Sequence, residues 1–276
     1  MNTRLKKVVL CMAAWSLLAI LSFCVYRYCS PVQVAFTFDD GTLDEYQYAA
    51  PILEKYGYRG FFNIISGKVK HGENFQDPLG PMMSWEQISD LEKRGHEISS
   101  HTHSHRTHIG LMSCEEIERE LLVTIDDFRT NMNFHVRYVA FPQNAKTVYT
   151  DEIVLKHGLI PVRANRIDFP PYLRNYTIDE VFGRCRRNLN GTCVLQFHGI
   201  CKGGGWNSFD SPDEFEDIVR QVKKLEEQGV IKVSNYSELS RTHDAILSHP
   251  ISILLRKAVF HLENLARQAI HILRGL

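Results

Sequence analysis

Short apolar runs rich in β-branched and aromatic residues alternate along this chain with stretches whose apolar residues recur at helical spacing. That alternation constrains the fold more than any other feature. Val32 to Phe38 reads Val-Gln-Val-Ala-Phe-Thr-Phe, a strand whose end delivers Asp39 and Asp40. Asp44 to Tyr56 has helical spacing and stops at Gly57; Gly60 to Ile65 is the next strand. Ser84 to Arg94 is a helix with Ser84 as N-cap, Gln87 at capping-box spacing and Gly95 behind it. His96 to Ser100 is a short strand, and Ser113, with Glu116 three residues on, opens a helix that continues through Phe128. Val136 to Phe141, Leu159 to Val162, Thr192 to Phe197 and Val230 to Val233 read as strands, with helices over Asp151 to His157 and Pro212 to Gln228 and a closing turn from Tyr236 to Leu239. About six or seven strand–helix units predict an α/β architecture with a mostly parallel sheet. The groups with chemical potential, Asp39, Asp40, His101 and His198, fall at the C-terminal ends of strands, where α/β enzymes place their sites.

The chain has 276 residues and 32 acidic against 32 basic side chains, so no global field draws it to nucleic acid. Arg4, Lys6 and Lys7 precede an apolar stretch from Val8 to Tyr26. This reads as a signal anchor or a secretory signal peptide. Its length of about 19 residues, near the roughly 20 needed to span a bilayer, and the bulky Phe23 to Tyr28 segment favour an uncleaved anchor. Either way the remainder is expected outside the cytoplasm. Two of Cys185, Cys193 and Cys201 could pair as a disulfide there, and the absence of any CxxC pair argues against a thiolate zinc site. From Ile251 to Leu276 apolar residues form one helical stripe, expected to pack on the domain or to lie along a membrane surface.

Asp39-Asp40-Gly41 is a common turn composition, yet at a bending strand end two adjacent carboxylates can reach one site, one binding metal and one taking a proton. His101 and His105 have the spacing at which two imidazoles share an ion, while His103 is expected to point elsewhere. His198 ends an apolar strand, a place where a lone histidine is more often structural. Trp206, after three glycines, is a loop anchor or a surface for stacking a sugar ring.

Four segments in order carry a resemblance: Thr37-Phe38-Asp39-Asp40-Gly41, then Gly95-His96-Glu97-Ile98 leading to His101-Thr102-His103-Ser104-His105, then Phe141-Pro142, then Leu195-Gln196-Phe197-His198. They resemble the polysaccharide deacetylase family, also called the NodB-homology or carbohydrate esterase 4 family, over roughly Val32 to Leu239. The resemblance implies a distorted (β/α) barrel of about seven strands and a divalent metal, most often Zn2+. By the family pattern Asp40, His101 and His105 are metal ligands, Asp39 is the general base and His198 the general acid. The substrate implied is an acetylated polysaccharide, losing N-acetyl groups, with an O-acetyl esterase or a catalytically impaired glycan-binding protein as the other readings. The chain then divides into a leader (1–30), a polysaccharide deacetylase-like catalytic domain (31–245) and a C-terminal amphipathic helix (246–276). Many relatives place an arginine before the motif-three proline to orient the base. This chain has Ala140-Phe141-Pro142 there, and Arg163 is the candidate replacement. Asp168 is the candidate acidic partner of His198.

Overall fold

The computed structural model describes residues 30–69, 78–107, 109–145, 148–162, 166–168, 192–201 and 208–240, with single positions at 12, 15, 18, 178, 180, 181 and 185. The strands are β1 (Val32–Asp40), β2 (Gly60–Ile64), β3 (Glu97–Ser100), β4 (Tyr138–Val139), β5 (Ile160–Pro161), β6 (Arg166–Asp168), β7 (Thr192–Phe197) and β8 (Ile231–Val233). The helices are α1 (Ala50–Lys55), α2 (Trp85–Lys93), α3 (Cys114–Met132), α4 (Val148–Lys156) and α5 (Pro212–Glu227). All described strand pairings are parallel, in the order β5-β4-β3-β2-β1-β7-β6, with β8 also on β1. The result is a curled, open (β/α) barrel, the distorted barrel that the family resemblance implies, with eight described strands where about seven are expected. β1 is its centre: β8 pairs with its first half and β2 with its second, while β7 runs along the other edge.

Alternation along these strands sorts side chains into two layers. Phe36 and Phe38 of β1, Phe62 of β2 and Phe197 of β7 belong to the large core beneath the helices, with Phe215 of α5. The Phe38 ring lies 4.9 Å from Phe62, 5.5 Å from Phe197 and 5.7 Å from Phe215. Residues of the opposite parity fill the barrel. Ala35, Phe61, Tyr138, Val194 and Tyr236 form a second, smaller apolar cluster there. Farther along the same strands come Thr37, Asp39, Asn63, Ser99 and Gln196, all buried. The barrel interior thus changes from apolar to polar towards the carboxyl ends of its strands.

The capping boxes read from Ser84/Gln87 and Ser113/Glu116 are both formed, and Asn133, in the left-handed region at φ 51°, ends α3. Three elements differ from expectation. The helix expected over Asp44 to Tyr56 is a five-residue π-turn (Glu45–Ala49) that continues into α1. The strand expected over Val136 to Phe141 pairs only at Tyr138–Val139, because the chain turns at Phe141-Pro142 into a 3-10 turn. β6 was not expected at all, since three residues show no periodicity. A disulfide joins Cys185 to Cys193. Among the described residues no helix is long and apolar enough to cross a membrane. The expected anchor over Val8 to Tyr26, apart from three single positions, and the tail over Ile251 to Leu276 lie outside the described residues.

Candidate metal centre and active site

β1 ends in a bend that brings neighbouring carboxylates to one place. Asp39 follows strand alternation into the barrel, and Asp40 would then face the other way. Instead Asp40 takes φ 90°, and Gly41 follows at φ 81°, a conformation that disfavours any side chain, with Ile64 Cδ1 tight at 3.1 Å from where a Cβ would sit. Thr102 (φ 69°) and His105 (φ 55°) are left-handed as well. Non-glycine residues in this region cost free energy, and such strain collects at functional sites.

The loop after β3 is tied to the loop after β2. Amides of His101, Ser66 and Gly67 donate to the carbonyls of Ile64, Thr102 and His103 at 2.7, 3.2 and 3.0 Å. Gly67 allows this approach, because a Cβ at that position would lie 2.6 Å from the His103 carbonyl oxygen. Beneath the loop, Thr124 of α3 bonds Ser66 and Ser100, and the Ser100 hydroxyl accepts from the Thr102 amide at 3.0 Å. His103 turns away towards Asp127, 2.9 Å from its carboxylate.

Held in this way, one oxygen of Asp40 and the ring nitrogens of His101 and His105 form a cluster whose ligand atoms lie within 4.8 Å of one another. Asp40 Oδ1 is 3.4 Å from His105 Nε2 and 3.7 Å from His101 Nε2. Donors bound tetrahedrally to one ion at about 2.0–2.1 Å stand roughly 3.3 Å apart. Asp40 Oδ1 is buried and has no hydrogen-bond partner. His101 Nδ1 lies 2.8 Å from the Ala140 carbonyl, an acceptor only, so Nδ1 carries the proton and the Nε2 lone pair faces the cluster. Burial is the main force pushing the Asp40 carboxyl above its usual range. Burial first, and then the neighbouring His101 ring, takes His105 down to about 3. Each charged form is costly alone, and a cation shared by a carboxylate and two neutral imidazoles fits this donor set.

Asp39, 2% exposed, lies beside the cluster, with Oδ2 3.7 Å from His101 Nε2. Its two oxygens accept from Asn63 Nδ2 at 2.6 Å and from Gln196 Nε2 at 2.7 Å. His198 directly follows β7, near enough to Asp40 to lower its pKa against the larger effect of burial. The His198 amide donates to Ser208 Oγ at 2.8 Å, and Asp44 Oδ2 accepts from the amides of Ile200 and Cys201 at 2.5 and 2.8 Å.

Five of the expected residues, Asp39, Asp40, His101, His105 and His198, therefore meet at the carboxyl mouth. Arg163 and Trp206 lie outside the described residues. Asp168 is placed by its backbone alone, in register with Gln196. Sequence reasoning missed Asn63, Gln196, Asp44 and the Ala140 carbonyl. The first two had a signal, a lone amide in an otherwise apolar strand in Gly60-Phe61-Phe62-Asn63-Ile64 and in Val194-Leu195-Gln196-Phe197.

An open parallel barrel with carboxylates and imidazoles gathered where its strands end defines an α/β protein of the kind that binds substrate at that face. Residues 29–162 match the family described as "Polysaccharide deacetylase". Over that span, just under half of the chain, the sequence is similar to the polysaccharide deacetylase family. A putative polysaccharide deacetylase, YxkH, from Bacillus subtilis (strain 168) is 35% identical over 72 residues. That stretch spans 26% of this chain and only 23% of the length of the relative. Among solved structures, a family 4 acetyl xylan esterase from Clostridium thermocellum, in complex with a cobalt ion, has a TM-score of 0.54 at 18% identity, covering 76% of this chain and 91% of its own. A carbohydrate esterase 4 pseudoenzyme from Bacillus anthracis has a TM-score of 0.56 at 19% identity, covering 76% of this chain and 66% of its own. These likenesses show a shared fold.

Proposed function

We propose that the protein is a metal-dependent hydrolase that removes N-acetyl groups from a polysaccharide outside the cytoplasm, held at the membrane by its N-terminal segment. The observation that carries this reading is the buried, unpartnered Asp40 Oδ1 facing two imidazole nitrogens, with Asp39 alongside. Asp40, His101 and His105 would hold the ion, and zinc suits two imidazoles and a carboxylate. A divalent cation bound there would supply a water of lowered pKa and polarise the acetyl carbonyl. Asp39, acceptor-only when ionised, takes the proton of the attacking water. His198, as the general acid, gives a proton to the departing amine, so the amide bond breaks to acetate and a free amino sugar. The low exposure of Asp39 and Asp40 keeps bulk water from competing for these groups.

The same groups could cleave an O-acetyl ester, and the acetyl xylan esterase among the solved structures of this fold favours testing that reading. Metal analysis of the purified protein comes first, with acetate release measured on N-acetylglucosamine oligomers and on O-acetylated xylan. Stoichiometric divalent metal and release from the first substrate are expected. Asp40→Ala loses the metal. Asp39→Asn keeps it and loses turnover by about a hundredfold or more, the scale of a positioned base. Intact metal and glycan binding with acetate release from neither substrate would support a catalytically impaired glycan-binding protein, and a pseudoenzyme is among the solved structures of this fold.

A further inference from the structure

Resting on the reading of Asp39 as the base, we infer that Asn63 and Gln196 are positioning residues that fix its carboxylate from opposite edges of β1. Asn63 stands in β2 in register with Asp39. Gln196 stands in β7 in register with Thr37, two residues back along β1. Neighbouring strands lie about 4.8 Å apart, and diagonal positions are farther. The shorter amide therefore serves the direct position and the longer one the diagonal. Both arrive with a nitrogen on Asp39, 2.6 Å to Oδ1 and 2.7 Å to Oδ2. All three side chains are nearly or fully buried, at 2% exposure for Asp39, 0% for Asn63 and 4% for Gln196.

Amide donors suit this task because they cannot take the proton that Asp39 must accept. A carboxylate offers about four lone-pair sites. One amide on each oxygen resists rotation about the carboxyl bond. Donors on a buried charge are also shorter and stronger than neutral pairs. Asn63 Oδ1 is buried without a hydrogen-bond partner, so this amide serves through its nitrogen.

The test uses the full chain at one neutral pH, with Asn63→Leu and Gln196→Met as near-isosteric variants, each made in the wild-type and in the Asp39→Asn background. In the wild-type background each lowers kcat about tenfold to hundredfold, the scale of a misplaced catalytic group. KM and metal content stay unchanged. In the Asp39→Asn background each changes kcat less than about twofold, because the effect passes through Asp39. A second cycle on urea unfolding of the metal-stripped protein reads the contact without reference to turnover. There the unfolding constant of the wild-type background moves about tenfold or more and that of the Asp39→Asn background moves less. Coupling in unfolding with no acetate release from the wild type would overturn the deacetylase reading and leave the contact standing. An active wild type with no coupling in either cycle, or loss of metal on substitution, would overturn the positioning role.

Discussion

Asp44 holds the loop that follows His198, and removing it tests how that loop is fixed. Its Oδ2 accepts from the amides of Ile200 and Cys201 at 2.5 and 2.8 Å, and its Oδ1 accepts from Thr42 Oγ1 at 2.5 Å. Ile200 is fully buried. In Asp44→Ala its N–H loses its acceptor with no water to replace it, at a cost of about 1–3 kcal/mol. Cys201 is half-buried, and its N–H can turn to solvent, so it adds about 0.5–1 kcal/mol. Neighbouring Glu45 offsets little. Burial, ahead of Asp44, is the main force pushing its carboxyl well up, so removing Asp44 relieves only the smaller part.

The expected loss for Asp44→Ala is thus about 1.5–4 kcal/mol, within the roughly 5–15 kcal/mol that a domain holds in reserve. The chain still folds. Asp44→Asn keeps one carbonyl oxygen able to serve both amides and loses about half as much. Urea unfolding of the metal-stripped protein measures the order wild type, Asn, Ala. Because His198 lies two residues before Ile200, acetate release should fall about tenfold to hundredfold in Asp44→Ala. Metal content should stay intact, since the loop that Asp44 clamps carries none of Asp40, His101 and His105. An Ala variant within about 0.5 kcal/mol of wild type, the scatter of inert surface changes, would refute the clamp. So would an Asn variant as damaged as Ala.

The metal-stripped protein should lose stability in acid through His105. Its folded value of about 3 lies below the ordinary 6.5, so the unfolded chain takes up a proton that the folded one refuses. Stability therefore falls as pH drops from about 6.5 towards 3, by about 2 kcal/mol at pH 5. Urea unfolding at pH 7 and pH 5 should show a steeper fall in wild type than in His105→Leu, and equal slopes would refute the shift. Phe38→Ala removes the ring that stacks on Phe62 and Phe197 and meets Phe215 edge-on, and should cost about 3–5 kcal/mol by denaturation. A loss below about 1 kcal/mol would mean that the aromatic layer repacks around the gap.

The fold was legible where local rules act alone. Ser84 with Gln87 and Ser113 with Glu116 announce helix starts through backbone donors that need partners whatever surrounds them. Thr192 to Phe197 is read residue for residue because its run is apolar and bounded. What depends on tertiary partners was not legible. Residues 166–168 become a strand only because β7 lies alongside. The run after Val139 leaves the sheet because Phe141-Pro142 turns, and in doing so it presents the Ala140 carbonyl to His101. In the site, Asp40, His101 and His105 carry their chemistry in their residue type. Asn63 and Gln196 do not, and acquire a role only when register places both beside Asp39.

The same period of two explains why core and site cannot be separated in this barrel. Three adjacent strands each send a phenylalanine outward to the helices immediately before a polar residue at the mouth: Phe38 before Asp39, Phe62 before Asn63, Phe197 before His198. Phe38 is in register with both of the other rings. A slip of one residue in either pairing would turn every side chain of that strand to the other face. It would bury the carboxylate or an amide among aromatic rings and leave a phenylalanine at the mouth. Stacking of the three rings is thus also what sets the reach of Asn63 to Asp39. The cost of losing that stack falls on the geometry of the acid–base groups as well as on stability. The fold needs no separate device to aim them.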